Sequence, residues 1–150
     1  MTIFRKVYSV FGALLMLQFF LQLFFMAGLI FTIAFANDNA KDVYAAFKSA
    51  DSFAGLHAIN GYLIGINLLI MLGLSFAARF PWRTTILTGV LFLLLVVQSV
   101  LAHTGVPAIS ALHGVNALIM VGLGGYLTGS NWAFRRGGAA TTSAAAQPGA

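Results

Sequence analysis

Residues 98–117 read QSVLAHTGVPAISALHGVNA, and this stretch decides how many times the chain crosses a membrane. It lies within an uncharged run from Thr84 to Phe134, long enough for two spanning helices of about 20 residues each. Thr104-Gly105-Val106-Pro107 divides that run, because glycine and proline are the strongest local breakers of a helix. Outward from this break the charges mark the other spans. Arg5, Lys6, Asp38, Lys41, Asp42, Lys48, Asp51, Arg79, Arg83, Arg135 and Arg136 bound two further uncharged runs, Val7 to Asn37 and Ser52 to Ala78. Each of those holds one helix.

The composition agrees. Of 150 residues 60% are hydrophobic and only 7% charged, against roughly 25% charged in a soluble domain. That excludes a soluble enzyme, a disordered chain and a nucleic-acid binder, despite the net charge of +5. The absence of cysteine excludes disulfide frameworks, thiolate metal sites and cysteine nucleophiles. The expected fold is all-α: an integral membrane four-helix bundle in up-down-up-down order, with helices near 10–35, 53–78, 84–103 and 110–129. These make one domain over 1–136, and the alanine-, glycine-, serine- and threonine-rich tail 137–150 is expected to be disordered.

Asp51 or Ser52 and then Ser110 stand where N-caps of the second and fourth helices belong. Val43, Tyr44 and Phe47 at helical spacing predict a short helix on the outer surface. The first apolar run is too long for the core of a secretory signal and longer than a bilayer core requires, so it tilts or projects. Arg5, Lys6, Arg79, Arg83, Arg135 and Arg136 share one side of a four-span chain. The positive-inside rule makes that side, with both termini, cytoplasmic in a bacterial-type plasma membrane. Tyr8, Trp82 and Trp132 fall at the inner boundaries, as an aromatic belt does.

The second helix opens Leu56-His57-Ala58-Ile59-Asn60-Gly61 and the fourth Leu112-His113-Gly114-Val115-Asn116-Ala117. Gln18 and Gln22 in the first helix, with Gln98 in the third, echo this weakly. Two pseudo-symmetric helical hairpins are the simplest architecture. At 100° per residue His57, Gly61, Ile64, Gly65 and Leu68 form one stripe, with His113, Ala117, Met120 and Gly124 its counterpart. In such a bundle these stripes face each other across a diagonal of roughly 11 to 14 Å. Two imidazoles with one metal between them fit that gap.

Gly61, Gly65, Ala117 and Gly124 then leave room for a flat macrocycle, which gives a b-type haem site with His57 and His113 as metal ligands. Gln98, Asn60 and Asn116 are placed to orient the imidazoles or to bond across helices. His103, at the outer end of the third helix, caps the helix, binds a haem propionate, completes a three-histidine copper or zinc site, or relays protons. Small residues also serve close helix packing, and histidine near the interface is inexpensive. A structural role for these positions therefore stands beside the cofactor reading.

Gln98 to Ala117, with its glutamine, Leu-Ala pair, Gly-Pro break and Leu-His-x-x-Asn-Ala, resembles a family of small bacterial four-helix membrane proteins of unknown function. The resemblance covers the four helices and not the tail. More loosely, a histidine on alternate helices is similar to haem A synthase and b-type membrane cytochromes, which implies axial ligation by His57 and His113. The chain has no glutamate, whereas those synthases use an acidic residue, and it lacks a second histidine pair near the cytoplasmic end. The expected function is electron transfer or haem handling, more a subunit than an enzyme. Its surroundings are the lipid bilayer with a membrane redox partner, a larger complex or a quinone. The alternative is a structural or assembly subunit without a cofactor of its own.

Overall fold

The computed structural model describes residues 2–39 and 42–134. Lys41, Arg135, Arg136 and the tail expected to be disordered lie outside them. The chain forms α1 (Thr2–Asp38), α2 (Val43–Ala77), α3 (Trp82–Ala102) and α4 (Pro107–Ser130), with no strand among the described residues. All four helices are long and apolar enough to cross a membrane.

α2 starts well before Asp51. The Asp42 side chain caps it, accepting from the backbone amides of Tyr44 at 2.9 Å and Ala45 at 3.4 Å. No glycine or proline separates Val43 from Asp51, so the helix runs back to this cap. The segment expected as a separate surface helix is therefore the start of α2, and Asp51 and Ser52 are interior to it. α4 likewise begins at Pro107 rather than Ser110, because a first-turn proline gives up an amide that has no helical partner. Ser110 instead bonds the Thr104 hydroxyl at 3.0 Å. The break is completed by Gly105 at φ +67°, a left-handed conformation that glycine adopts without strain.

α1 and α2, with 37 and 35 residues, are about 55 and 52 Å long, against about 31 and 36 Å for α3 and α4. Each helix packs on its sequence neighbours and α1 closes on α4, while the diagonals α1/α3 and α2/α4 bring no backbones together. One end of the bundle is basic. Arg5 lies over the Phe80 ring, Lys6 over Phe134 and Arg83 over Tyr126. Just inside that end the Tyr8 and Thr88 hydroxyls bond at 2.9 Å, and Ser9 accepts from the Ala133 amide at 2.9 Å. These contacts tie the start of α1 to α3 and to the end of α4.

The buried stripes run along α2 through Asn60, Ile64, Leu68 and Met71, and along α4 through Asn116, Met120, Gly124 and Leu127. Residue by residue they are the same positions of the repeat. The α1/α4 seam is closed by reciprocal notches. A Cβ on Gly124 would fall 2.9 Å from Phe19 Cε2, and one on Gly12 would fall 2.8 Å from Thr128 Oγ1. Further out, the Phe53 ring of α2 rests on Gly28 of α1, within 2.6 Å of where a Cβ would stand. Gly28→Ala should push that ring aside and cost about 1–2 kcal/mol of stability, at the gentle end of overpacking, read from denaturant unfolding in detergent.

Candidate functional site

His57 on α2 and His113 on α4 meet across the diagonal, with ring centroids 6.3 Å apart and planes at 45°. Both are half-buried. His113 Nδ1 is held 3.0 Å from the Gln98 carbonyl of α3, which leaves Nε2 for another partner. Three residues further along α4, Asn116 Nδ2 donates to the Leu94 carbonyl at 2.9 Å and to Gln98 Oε1 at 2.6 Å.

The α1–α2 half repeats this pattern. Asn60 Nδ2 donates to the Gln18 carbonyl at 2.8 Å, and His57 is set against the Gln22 backbone. Histidine thus addresses the backbone of Gln22 or Gln98, and asparagine the carbonyl four residues earlier, Gln18 or Leu94. The faint glutamine echo in the odd helices is therefore an alignment of Gln22 with Gln98.

The two halves differ in one respect. His57 Nδ1 and Gln22 Oε1 are both buried without a hydrogen-bond partner. Their counterparts His113 Nδ1 and Gln98 Oε1 are both bonded. Asn67 supports the α1–α2 half instead, donating to Gln18 Oε1 at 2.7 Å and approaching the Phe11 carbonyl at 3.2 Å.

A cavity of about 170 Å³ extends from the two rings toward Ile64 and Met120. Its walls are apolar, from Phe19, Met26, Leu95, Ala117 and Val121 among others, and its polar lining is His57, His113, Gln22 and Gln98. Of the residues expected to give a macrocycle room, Ala117 lines the cavity. Gly61, Gly65 and Gly124 are packed by neighbours: Gln22 Nε2 and Leu95 Cδ2 each lie 3.4 Å from a Cβ position on the first two, and Phe19 covers the third. Asn60 and Asn116 bond across helices rather than to imidazole. Gln98 orients His113 through its carbonyl, while its side chain serves Asn116.

His103 stands apart. It is exposed at the C-cap of α3, with Nδ1 2.7 Å from the Ser99 carbonyl. Among the described residues no three histidines or carboxylates come together to hold a metal ion, so the three-histidine alternative has no site there. Gln22 is the site residue that the expectation passed over, and pairing it with Gln98 through the repeat is the signal that finds it.

Asn116→Leu removes a side chain that satisfies two acceptors on α3. Interhelical polar contacts in membranes are worth about 0.6 kcal/mol on average and up to about 2. A loss of about 1–2 kcal/mol is expected for Asn116→Leu, and a smaller one for Asn60→Leu with its single bond, both read by denaturant titration in mixed micelles.

Residues 44–105 match the family of unknown function DUF6220. The DUF6220 match takes in nearly all of α2, with His57 and Asn60, and all of α3, with Gln98. It ends before α4, so it is narrower than a resemblance across all four helices and does not reach His113. No curated protein and no solved structure matches the chain, so the looser likeness to haem A synthase and b-type cytochromes gains nothing from these comparisons.

Proposed function

We propose that the chain is a b-type haem-binding protein of a bacterial plasma membrane, with both termini cytoplasmic and the haem toward the outer leaflet. It would act in electron transfer or haem handling beside a membrane redox partner. The observation that carries this reading is the 6.3 Å between the His57 and His113 ring centroids. Two imidazoles on opposite sides of one metal, with bonds near 2 Å and ring nitrogens roughly 1 Å from the ring centre, place their centroids about 6 Å apart.

The donor set fits. A carbonyl on Nδ1 is the usual device that orients a ligating histidine, and His113 has it. His57 has a buried nitrogen still to be satisfied, and the walls below are apolar, as a porphyrin requires. Bound haem would supply one-electron chemistry. The protein's part would be to hold the His113 imidazole by its second nitrogen and to exclude water with Phe19, Leu95 and Met120. The 170 Å³ present is below the ~300 Å³ at which ligand pockets usually begin. Seating a porphyrin therefore moves Gln22, Leu95 and Phe19 off Gly61, Gly65 and Gly124.

The direct test is an absorbance spectrum of protein purified from haem-replete cells. Sharp reduced-state bands support the reading, and a colourless protein overturns it.

A second reading, a scaffold subunit without a cofactor, is favoured by the use made of asparagine: Asn60, Asn67 and Asn116 all tie one helix to another. Orientation has its own test, made clean by the absence of cysteine. In intact cells an impermeant maleimide should label Asp51→Cys and spare Arg79→Cys, which should react only after permeabilisation. The reverse pattern would invert the topology.

A further inference from the structure

The cavity is not enclosed evenly by the four helices. α1 and α4 provide most of its wall, while α2 adds His57 and Ile64 and α3 adds Leu95 and Gln98. Leu23 of α1 and Leu118 of α4 stand at its edge and are 53% and 68% exposed on the surface the bilayer covers. Toward the basic end the same seam is shut by the Gly12–Thr128 and Gly124–Phe19 notches. The opening therefore faces lipid between α1 and α4, at the level of the histidines. Of the buried polar atoms left without partners among the described residues, Gln22 Oε1 and His57 Nδ1 belong to residues that line this cavity, while Asn67 Oδ1 and Thr128 Oγ1 lie away from it.

We infer that the α1/α4 cleft admits, from the membrane, the hydroxylated ring of a lipid-soluble molecule of the quinol type, whose hydroxyl donates to Gln22 Oε1. Three features select this chemistry. The opening on lipid selects a molecule dissolved there. Apolar walls carrying Phe19, Met26 and Met120 suit a ring, and 170 Å³ is room for a ring rather than for its tail. An amide oxygen lacking a donor calls for a hydroxyl, since leaving a buried acceptor unpaired is costly, and a quinone carbonyl cannot supply one. The break in pseudo-symmetry locates the contact: in the other half Asn116 already donates to the equivalent oxygen of Gln98, whereas Gln22 Oε1 has no donor. This goes beyond the haem proposal and concerns the haem-free chain, since haem and quinol would draw on the same cavity.

The test is isothermal titration of the purified chain in phosphatidylcholine nanodiscs with a decyl-tailed benzoquinol kept reduced, and separately with its quinone. Saturable binding of one quinol per chain is expected, with the quinone weaker. Gln22→Leu and Leu118→Trp should each weaken quinol binding at least tenfold. Val97→Trp, on a lipid-facing part of α3 away from the cavity, should leave it unchanged. Should Gln22→Leu lose its helical circular dichroism, Leu118→Trp alone carries the decision.

Binding no greater than partition into empty nanodiscs, or equal affinity in wild type and both cleft variants, overturns the inference. Absorbance of the same samples separates the two proposals. Because haem would fill the same cavity, the titration uses protein that absorbance shows to be haem-free: haem-free protein that ignores quinol sinks only this proposal, and protein that stays colourless from haem-replete cells yet binds quinol sinks only the haem.

Discussion

Replacing either His57 or His113 with alanine should abolish the reduced-state haem bands of the purified protein outright, while His103→Ala should leave them in place. The asymmetry follows from position. His57 and His113 face each other at 6.3 Å, and among the described residues a metal between them has no third histidine or carboxylate to fall back on, so losing one imidazole would leave a single ligand. His103 is exposed and hydrogen-bonded to its own helix. Bands that survive in His57→Ala or His113→Ala would move the iron elsewhere. A wild-type protein without bands, together with a His57→Ala/His113→Ala double variant that assembles normally, would leave the scaffold reading standing.

Gly124→Val should give the largest loss of stability. A Cβ on Gly124 falls 2.9 Å from Phe19 Cε2, with Met16 Sδ and Leu15 Cδ2 at 3.6 and 3.7 Å, and Phe19 is itself buried. Relief needs the ring to be pushed out of its packed position toward the cavity it lines, or α1 and α4 to separate. Overpacking of this kind costs about 1–3 kcal/mol, and here it falls on the seam that closes the ring of helices. Gly122→Val is the matched control. Nothing lies within 4 Å of its Cβ position, so the same side chain should change the unfolding midpoint little. Equal losses in the two variants would show that glycine's flexibility, not the notch, is what matters at both positions.

The four helices and the meeting of His57 with His113 were legible in the sequence because both depend on side chains. Charges end the spans, and a heptad-like stripe carries each histidine to the diagonal. The start of α2 was not legible in the same way. Asp42, Asp51 and Ser52 are all competent caps, and which one acts depends on the unbroken helix between them. The acceptors in the site left no trace either: the carbonyls of Leu94, Gln18 and Gln98 are backbone atoms, which any residue type presents. The glycines were visible as small positions, but their occupants, Phe19, Gln22 and Leu95, come from other helices and are set by how the helices approach. Gln22 was legible only as half of a pair, because Gln18, four residues away, competes for the match with Gln98.

α1 runs sixteen residues past Gln22, whereas α3 ends four residues past Gln98. Gln22 and Gln98 are equivalent in the repeat, so the molecule is a stair rather than a column, with a riser of roughly 18 Å at 1.5 Å per residue. Phe31 and Phe35, stacked on each other and exposed, sit on that riser, above the tread formed by the ends of α3 and α4. A leaflet level with the tread strands these rings in water, so the bilayer swells locally or the whole stair leans. Thick, ordered patches of membrane relieve both strains, and the chain should gather in them.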